Sequence, residues 1–331
     1  MRAPPSRSPG VTGLLPHSRA TPGGNNPVGA VRGPLGLAFV PTVFAAPGPV
    51  VVAAKHAAAR SNTLPPPEEK WSSANKIPKR FKDRRLFAKN GAPAVTDIRQ
   101  QGIGNCYLAG LLGAMANTPK GRARLISMVT EHAGAIVTTG RDYVDQTAGP
   151  SRTISADRYF EVAFPGAKTI TLSDVLYADD SDRDWSPIFM DSPNNVLWPS
   201  VIELAYATAH GGYDKIGMSS GVSVATCIGE LLGKVDYTML HFLTKRKFRG
   251  KTDDGPIKSK DLHDFCAQAG TRATLAATRD DATAMIGNHA YIVLKLSGSS
   301  VTFYEPLKPT TKIMKLDALP DQLEAVFSIV V

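Results

Sequence analysis

The order of apolar and polar residues divides the chain into three parts. Residues 1–85 show neither helical nor strand periodicity and hold 14 of the 25 prolines. Such a segment cannot bury enough apolar surface to offset the entropy lost on ordering, so we predict a disordered, basic, Pro/Gly-rich arm. Helical patterns dominate residues 86–234, and strand patterns dominate residues 235–331. The sequence therefore predicts an α+β protein in which a helical lobe precedes a β-rich lobe.

Four helices are predicted from the apolar patterns. Residues 106–117 (CYLAGLLGAMAN) are apolar on all sides and rich in small residues, which is typical of a helix in the middle of a domain. Helical patterns also cover residues 198–210 and 222–232, and Gly233 ends the latter as a C-terminal cap does. The fourth helix is predicted over residues 259–269.

Strand patterns are weak near residues 158–164 and stronger towards the C terminus. Residues 290–296, 300–304 and 325–331 are rich in β-branched and aromatic side chains. A Gly-Ser pair at residues 298–299 separates the first two of these strands. Such a short polar turn indicates a hairpin, so we expect an antiparallel sheet in the C-terminal lobe.

The net charge of +9 belongs to the N-terminal arm. Residues 1–90 hold 14 Lys and Arg against 3 Asp and Glu, whereas residues 91–331 hold 24 against 26. Binding of nucleic acid needs clustered Lys and Arg on the folded surface, so we expect no nucleic-acid partner.

An apolar stretch at residues 35–54 carries three prolines, which makes it a poor transmembrane helix, and we expect no membrane span. As a signal peptide it would start unusually late. We therefore expect a cytoplasmic protein or one exported through an unrecognised N-terminal leader.

The cysteines and acidic residues give little sign of a cofactor. Cys106, Cys227 and Cys266 cannot all pair within one chain, and none has the CxxC spacing of a zinc site. His263 and Cys266 share a helical face without a second pair of ligands, which favours core packing. The acidic run at residues 179–184 lacks the glycine and terminal glutamate of an EF-hand loop. We predict no cofactor, and calcium control cannot be read from the sequence.

Cys106 begins the buried helix, where free N–H groups and the helix dipole favour a thiolate. On its own, a free cysteine is more often a small core residue. Gln100 lies six residues earlier, with Gly102 and Gly104 between them. A loop containing these glycines can bring the Gln100 amide beside the Cys106 N–H. Together the two donors would form an oxyanion hole.

Of the seven histidines, His289 has the context of a general base because it stands at the start of a predicted strand. Glu305 ends the next predicted strand. Adjacent antiparallel strands can bring its carboxylate to the His289 ring, where it would accept the Nδ1 proton and fix the tautomer. The alternatives are a core or edge histidine and a solvated acid at a strand end.

Three segments of the chain carry distinctive motifs. Residues 95–119 contain Gln100, Gly104, Cys106, Tyr107 and Leu108. Residues 197–217 contain Trp198, Glu203, Ala205, Tyr206, Ala207, Gly211 and Tyr213, and residues 288–294 read NHAYIVL. In this order, the three segments resemble the catalytic-cysteine segment, a second segment and the histidine block of the calpain-like family of cysteine peptidases. Gln101 and Asn105 stand where the family usually has glycine and aspartate.

The resemblance covers residues 94–306 and implies a papain-like core of two lobes with the substrate between them. It implies that Cys106 is the nucleophile, His289 the general base and Gln100 the oxyanion residue. The family's third residue is an Asn followed by Pro-Trp, and Glu305 with Pro306 and Leu307 stands in its place. A calpain-type endopeptidase acting on proteins or peptides is implied, and we expect a monomer.

Two other functions stay open. A carboxylate as the third residue is also used by transglutaminase-like acyl transferases, in which an amine replaces water. Because Asn105 and Glu305 depart from the family pattern, the chain could instead be an inactive calpain-like module that binds a protein.

Overall fold

The computed structural model describes residues 60–67, 75–144, 147–180, 186–217, 223–242 and 259–331. Within these ranges the chain forms five α-helices, 14 β-strands and three short 3-10 helices at Val95–Asp97, Tyr213–Lys215 and Leu316–Ala318. The helices are α1 (Cys106–Ala116), α2 (Pro119–Met128), α3 (Trp198–His210), α4 (Val224–Leu232) and α5 (Ser259–Ala267). The strands are β1 (Arg60–Thr63), β2 (Lys76–Arg80), β3 (Arg99–Gln100), β4 (Val129–Val144), β5 (Thr147–Val162), β6 (Ile170–Ser173), β7 (Val175–Asp179), β8 (Met190–Asp191), β9 (Tyr237–His241), β10 (Ala273–Thr278), β11 (Ala290–Ser297), β12 (Ser300–Glu305), β13 (Thr310–Lys315) and β14 (Leu323–Ile329).

The central helix α1 forms where its apolar, small-residue sequence predicts it. Every residue from Tyr107 to Ala116 is buried, and only Cys106 at its start is partly exposed. The helix ends before Thr118, whose side chain accepts a hydrogen bond from Gly121 N at 2.9 Å and caps α2, with Pro119 at the first helical position. The predicted helices α1, α3, α4 and α5 are confirmed, whereas α2 was not predicted.

The first sheet has the strand order β6-β5-β4-β2-β7, with β1 parallel to β4 beside it. Its centre is a hairpin of two 16-residue strands, β4 and β5. Two register shifts, between Ala133 and Ile136 and between Arg141 and Tyr143, interrupt this pairing. Each bulge inverts the alternation of inward and outward side chains, so the sequence pattern of these strands was too weak to predict them fully.

The prediction that the whole arm over residues 1–85 is disordered is wrong for the part that the structure describes. Strand β2 pairs with β7 over its full length, and Lys76, Ile77 and Phe81 are buried. Arg80 hydrogen-bonds the fully buried Asp174 at 3.0 Å. Long-range partners thus offset the ordering entropy of a segment whose own composition is polar. Residues 1–59 and 68–74 lie outside the described residues, so disorder there stays a prediction.

The second sheet is antiparallel throughout, with the order β13-β12-β11-β10-β14-β9. Strands β11 and β12 form the predicted hairpin, and Gly298 occupies its turn with a φ of 57°, a backbone region that favours glycine. The three predicted C-terminal strands are confirmed as β11, β12 and β14.

Close packing of α1 on the second sheet brings the two parts of the candidate site together. A Cβ atom added at Gly110 would lie 3.0 Å from Ala290 Cβ, and one added at Gly113 would lie 2.6 Å from Ile292 Cγ1. Glycine at both positions therefore lets the helix approach β11. Cys106 at the start of α1 and His289 just before β11 consequently meet at the same end of this contact.

The mixed α+β class is confirmed, but residues 86–234 are not simply helical. Their described part holds the strands β3–β8 in addition to helices α1–α4. The division into lobes at residue 234 stays a prediction. Among the described residues, no helix combines the length and the apolar character needed to cross a membrane.

Candidate active site

Cys106 differs from the two other cysteines in its exposure. It is partly exposed at the start of α1, and its Sγ lies 4.0 Å from the carbonyl oxygen of Asn288. Cys227 and Cys266 are both fully buried. Burial raises the pKa of the Cys266 thiol to about 12 and also raises the pKa of the Cys227 thiol, so both stay protonated. Cys106 is the accessible thiol in the part of the chain that the structure describes.

The predicted contact between His289 and Glu305 is present. His289 Nε2 lies 2.8 Å from Glu305 Oε1, and both side chains are about 95% buried, with 6% and 5% exposed. The predicted ring nitrogen was wrong, because Glu305 approaches Nε2 and not Nδ1. Glu305 lies at the end of the neighbouring strand β12 and contacts the ring at Nε2, away from Nδ1. Nδ1 is consequently the nitrogen left for the Cys106 sulfur.

The Glu305 carboxylate is held by backbone donors as well as by the ring. Leu307 N donates to Oε1 at 2.6 Å, and Lys308 N donates to Oε2 at 2.9 Å. Burial alone would raise the pKa of Glu305, but the hydrogen bonds from His289 and from these two N–H groups outweigh it and lower the pKa. Glu305 is therefore an ionised acceptor at neutral pH, held by the turn that follows β12.

The protonation of His289 follows from its neighbours. Burial by itself lowers the pKa of the imidazole, but hydrogen bonds with Cys106 and Glu305, together with their charges, raise it to about 9. The ring is thus an imidazolium at neutral pH, placed between a thiol and a carboxylate. A charged imidazole beside a cysteine is the kind of partner that activates the sulfur as a nucleophile.

The backbone around His289 is fixed by a residue that the sequence did not point to. The buried Thr278 accepts a hydrogen bond from His289 N through Oγ1 at 2.9 Å, and Thr278 N donates to His289 O at 2.9 Å. Asn288 adopts a φ of 50°, a left-handed conformation that Asn tolerates better than most residues. A threonine inside an ordinary strand pattern carries no signal of this role.

Gln100 lies on β3, next to the turn that follows Glu305. Its backbone N donates to Pro306 O at 2.9 Å, and its side-chain Nε2 donates to Ile103 O at 2.7 Å. A primary amide has two hydrogens, so one N–H stays available on Nε2. Tyr304 OH donates to Ile98 O at 2.8 Å and ties the same two segments together. The fold therefore gathers all four predicted site residues, Gln100, Cys106, His289 and Glu305, around the contact between α1 and the second sheet.

A profile described as calpain family cysteine protease matches residues 52–316. The chain belongs to the calpain family of cysteine proteases. The match contains all four candidate residues, and it begins at residue 52, which agrees with the ordering of β1 and β2. A search of curated proteins gave no match.

In this calpain-family chain, Asn105 takes part in a buried contact that sequence reasoning missed. Asn105 Nδ2 donates to Glu203 Oε1 at 2.7 Å, and Met190 N donates to Glu203 Oε2 at 2.8 Å. Burial raises the pKa of Glu203 to about 8, against the lowering effect of these two hydrogen bonds. The available signal was a single acidic residue within the apolar helix WPSVIELAYATAH, since such a residue needs buried partners.

Candidate metal ligands do not gather elsewhere in the described part of this calpain-family chain. No group of three or more His, Cys, Asp or Glu side chains is placed there to hold an ion. Most of the acidic run at residues 179–184 lies outside the described residues. His263 is exposed beside Asp264, whereas Cys266 on the same helix points into the core.

Proposed function

We propose that this calpain-family chain is an endopeptidase that hydrolyses peptide bonds in proteins through a thioester on Cys106. The family indicates a protease, hence protein substrates. The observation that carries the proposal is the buried 2.8 Å contact of His289 Nε2 with Glu305, which leaves Nδ1 for the thiol. An imidazolium held between a carboxylate and a cysteine is the working state of a cysteine peptidase.

In the first half of the reaction, the Cys106 thiolate attacks the carbonyl carbon of the scissile peptide bond. The carbonyl oxygen takes up the negative charge of the tetrahedral intermediate. His289 then gives its Nδ1 proton to the leaving nitrogen as the C–N bond breaks. The amine product departs, and the acyl group stays on Cys106 as a thioester beside a neutral imidazole.

In the second half, His289 takes a proton from water through Nδ1. The hydroxide attacks the thioester carbonyl, the C–S bond breaks, and the carboxylic acid product leaves with Cys106 returned to the thiolate. Glu305 keeps its charge throughout, because its two backbone donors hold it as a carboxylate. It orients the ring and stabilises the imidazolium, as the acidic residue of a triad does.

The oxyanion of both intermediates is stabilised by two donors in this proposal. One is the Cys106 N–H, which is free of an intrahelical partner because Cys106 is the first residue of α1. The other is the remaining N–H of Gln100 Nε2. Donors of this kind are each worth about 10²–10³-fold in kcat in related chemistry.

A papain-like division into two lobes is part of the same proposal. Cys106 and Gln100 belong to the part that contains α1 and the first sheet, and His289 and Glu305 belong to the second sheet. Substrate would then lie across the contact between α1 and β11, where Cys106 is partly exposed.

Incubation of the full chain with casein, alone and with a labelled amine, tests the proposed reaction. New peptide termini indicate hydrolysis, whereas incorporation of the amine without cleavage would indicate an acyl transferase. Intact-mass analysis after treatment with an epoxide inhibitor of the E-64 type supplies the second arm. One adduct on Cys106 is expected. No cleavage, no amine incorporation and no adduct would mean a binding module and would overturn the proposal.

A further inference from the structure

We infer that Glu203 is a positioning residue that fixes both donors of the oxyanion hole at once. This inference rests on the proposed function. One carboxyl oxygen accepts from Asn105 Nδ2 at 2.7 Å, and the other accepts from Met190 N at 2.8 Å. Asn105 directly precedes Cys106, whose N–H is the first donor. Met190 on β8 pairs with Gln100 on β3, whose side chain supplies the second donor.

The contact of Glu203 with Asn105 and Met190 is buried. Glu203 is 1% exposed, Asn105 is fully buried, and Met190 is fully buried. A carboxyl group in an apolar helix is costly to bury unless its oxygens are satisfied. Here both oxygens face donors from segments far away in sequence, 98 and 13 residues distant. The carboxyl group therefore joins the N-terminal end of α1 to the β3–β8 pair through α3.

Helix α3 holds Met190 on both of its backbone groups. Ser200 Oγ donates to Met190 O at 2.6 Å, one turn before Glu203 accepts from Met190 N. Residues three apart lie on the same helical face, so Ser200 and Glu203 both hydrogen-bond the backbone of Met190. Because Gln100 pairs with Met190, the position of β3 is set from α3. Unlike Ser200, Glu203 also accepts a hydrogen bond from Asn105.

Hydrogen-bond direction provides a sharp test. Glu203→Leu removes both acceptor oxygens and so loses the contacts with Asn105 and with Met190. Glu203→Gln is the conservative variant, because an amide both accepts and donates. Its oxygen can accept from Met190 N, and its Nε2 can donate to Asn105 Oδ1, a buried oxygen without a hydrogen-bond partner, once the Asn105 amide rotates.

The experiment compares three reactions of Cys106 in the full chain. For Glu203→Leu we expect kcat for a peptide substrate to fall about 10- to 100-fold with KM unchanged, since the oxyanion donors are displaced. Affinity for a peptide aldehyde should fall by a similar factor, because its hemithioacetal oxygen occupies the same hole. Alkylation by iodoacetamide should keep its rate and pH profile, because that displacement develops no oxyanion. Glu203→Gln should keep most of the wild-type kcat.

Tyr206→Phe is the matched control on the same helix. It removes the hydrogen bond of Tyr206 to Glu230 without touching Asn105 or Met190, and kcat should stay near the wild-type value. The inference is overturned if Glu203→Leu slows alkylation as much as hydrolysis, or if Glu203→Gln is no more active than Glu203→Leu. Should the wild-type chain hydrolyse no peptide, the proposed function fails, whereas the aldehyde affinities of the variants still test Glu203.

Discussion

Gln100 and Cys106, on the α1 side of the site, are held by hydrogen bonds and close packing, whereas the His289 ring is held by direct contact with a buried carboxylate. Gln100 is fixed through the carbonyl of Ile103, and α1 is fixed by glycines against β11. On the other side, the Glu305 carboxylate contacts the imidazole with two N–H groups behind it. The difference teaches that removal of a single charge should act on the histidine side and that steric changes should act on the cysteine side.

The largest expected effect comes from removing either member of the reacting pair. Cys106→Ala and His289→Ala should each lower kcat for peptide hydrolysis by about 10⁴-fold or more, because the thiolate or its proton donor is lost. Neither change should unfold the protein, since alanine suits a helix start and the backbone of His289 is held by Thr278. Steady-state kinetics with thermal unfolding checks both statements. Turnover by Cys106→Ala near the wild-type rate would exclude the thioester mechanism.

Removing the Glu305 carboxylate should lower kcat less than removing Cys106 or His289. Glu305→Ala leaves the nucleophile, base and oxyanion donors in place, so we expect kcat to fall about 10- to 10³-fold. Glu305→Gln should retain more activity, because it can still orient the ring. The raised pKa of His289, about 9 in the wild type, depends on this carboxylate, so the alkaline limb of activity should move to lower pH in both variants. Unchanged kcat values and unchanged pH profiles in both variants would mean that Glu305 is only an acidic residue at the end of a strand.

The packing of α1 on β11 can be disturbed without altering any charge. A Cβ at Gly113 would lie 2.6 Å from Ile292 Cγ1, so Gly113→Ala should lower the free energy of unfolding by about 1–3 kcal/mol through overpacking. Gly229→Ala is the matched control. Its added Cβ meets nothing within 4 Å inside α4, and it should raise stability by about 0.5–1 kcal/mol because alanine favours helix. Chemical denaturation measures both, and equal shifts would contradict the close approach of α1 to β11.

The sequence predicted those features whose interacting residues lie close together along the chain. Helix α1 and the β11–β12 hairpin were predictable because periodicity and turn residues are local signals. Pairing of those two strands also places Glu305 beside His289, although the ring nitrogen was not foreseen. The contact of Asn105 with Glu203 spans 98 residues and follows only from the packing of α3. The order in β2 likewise depends on β7, which no local pattern of the basic segment reveals.

The pH dependence of Cys106 alkylation tests the central claim most directly. The rate of reaction with iodoacetamide is measured from pH 4 to 10 for the wild type and Glu305→Gln, with Cys106→Ala showing that the label is specific. An imidazolium backed by Glu305 predicts rapid alkylation already at pH 6 in the wild type and a slower reaction there for Glu305→Gln. A wild-type rate that rises only near pH 8.5, where a free thiol ionises, or identical profiles for the two proteins, would contradict the account.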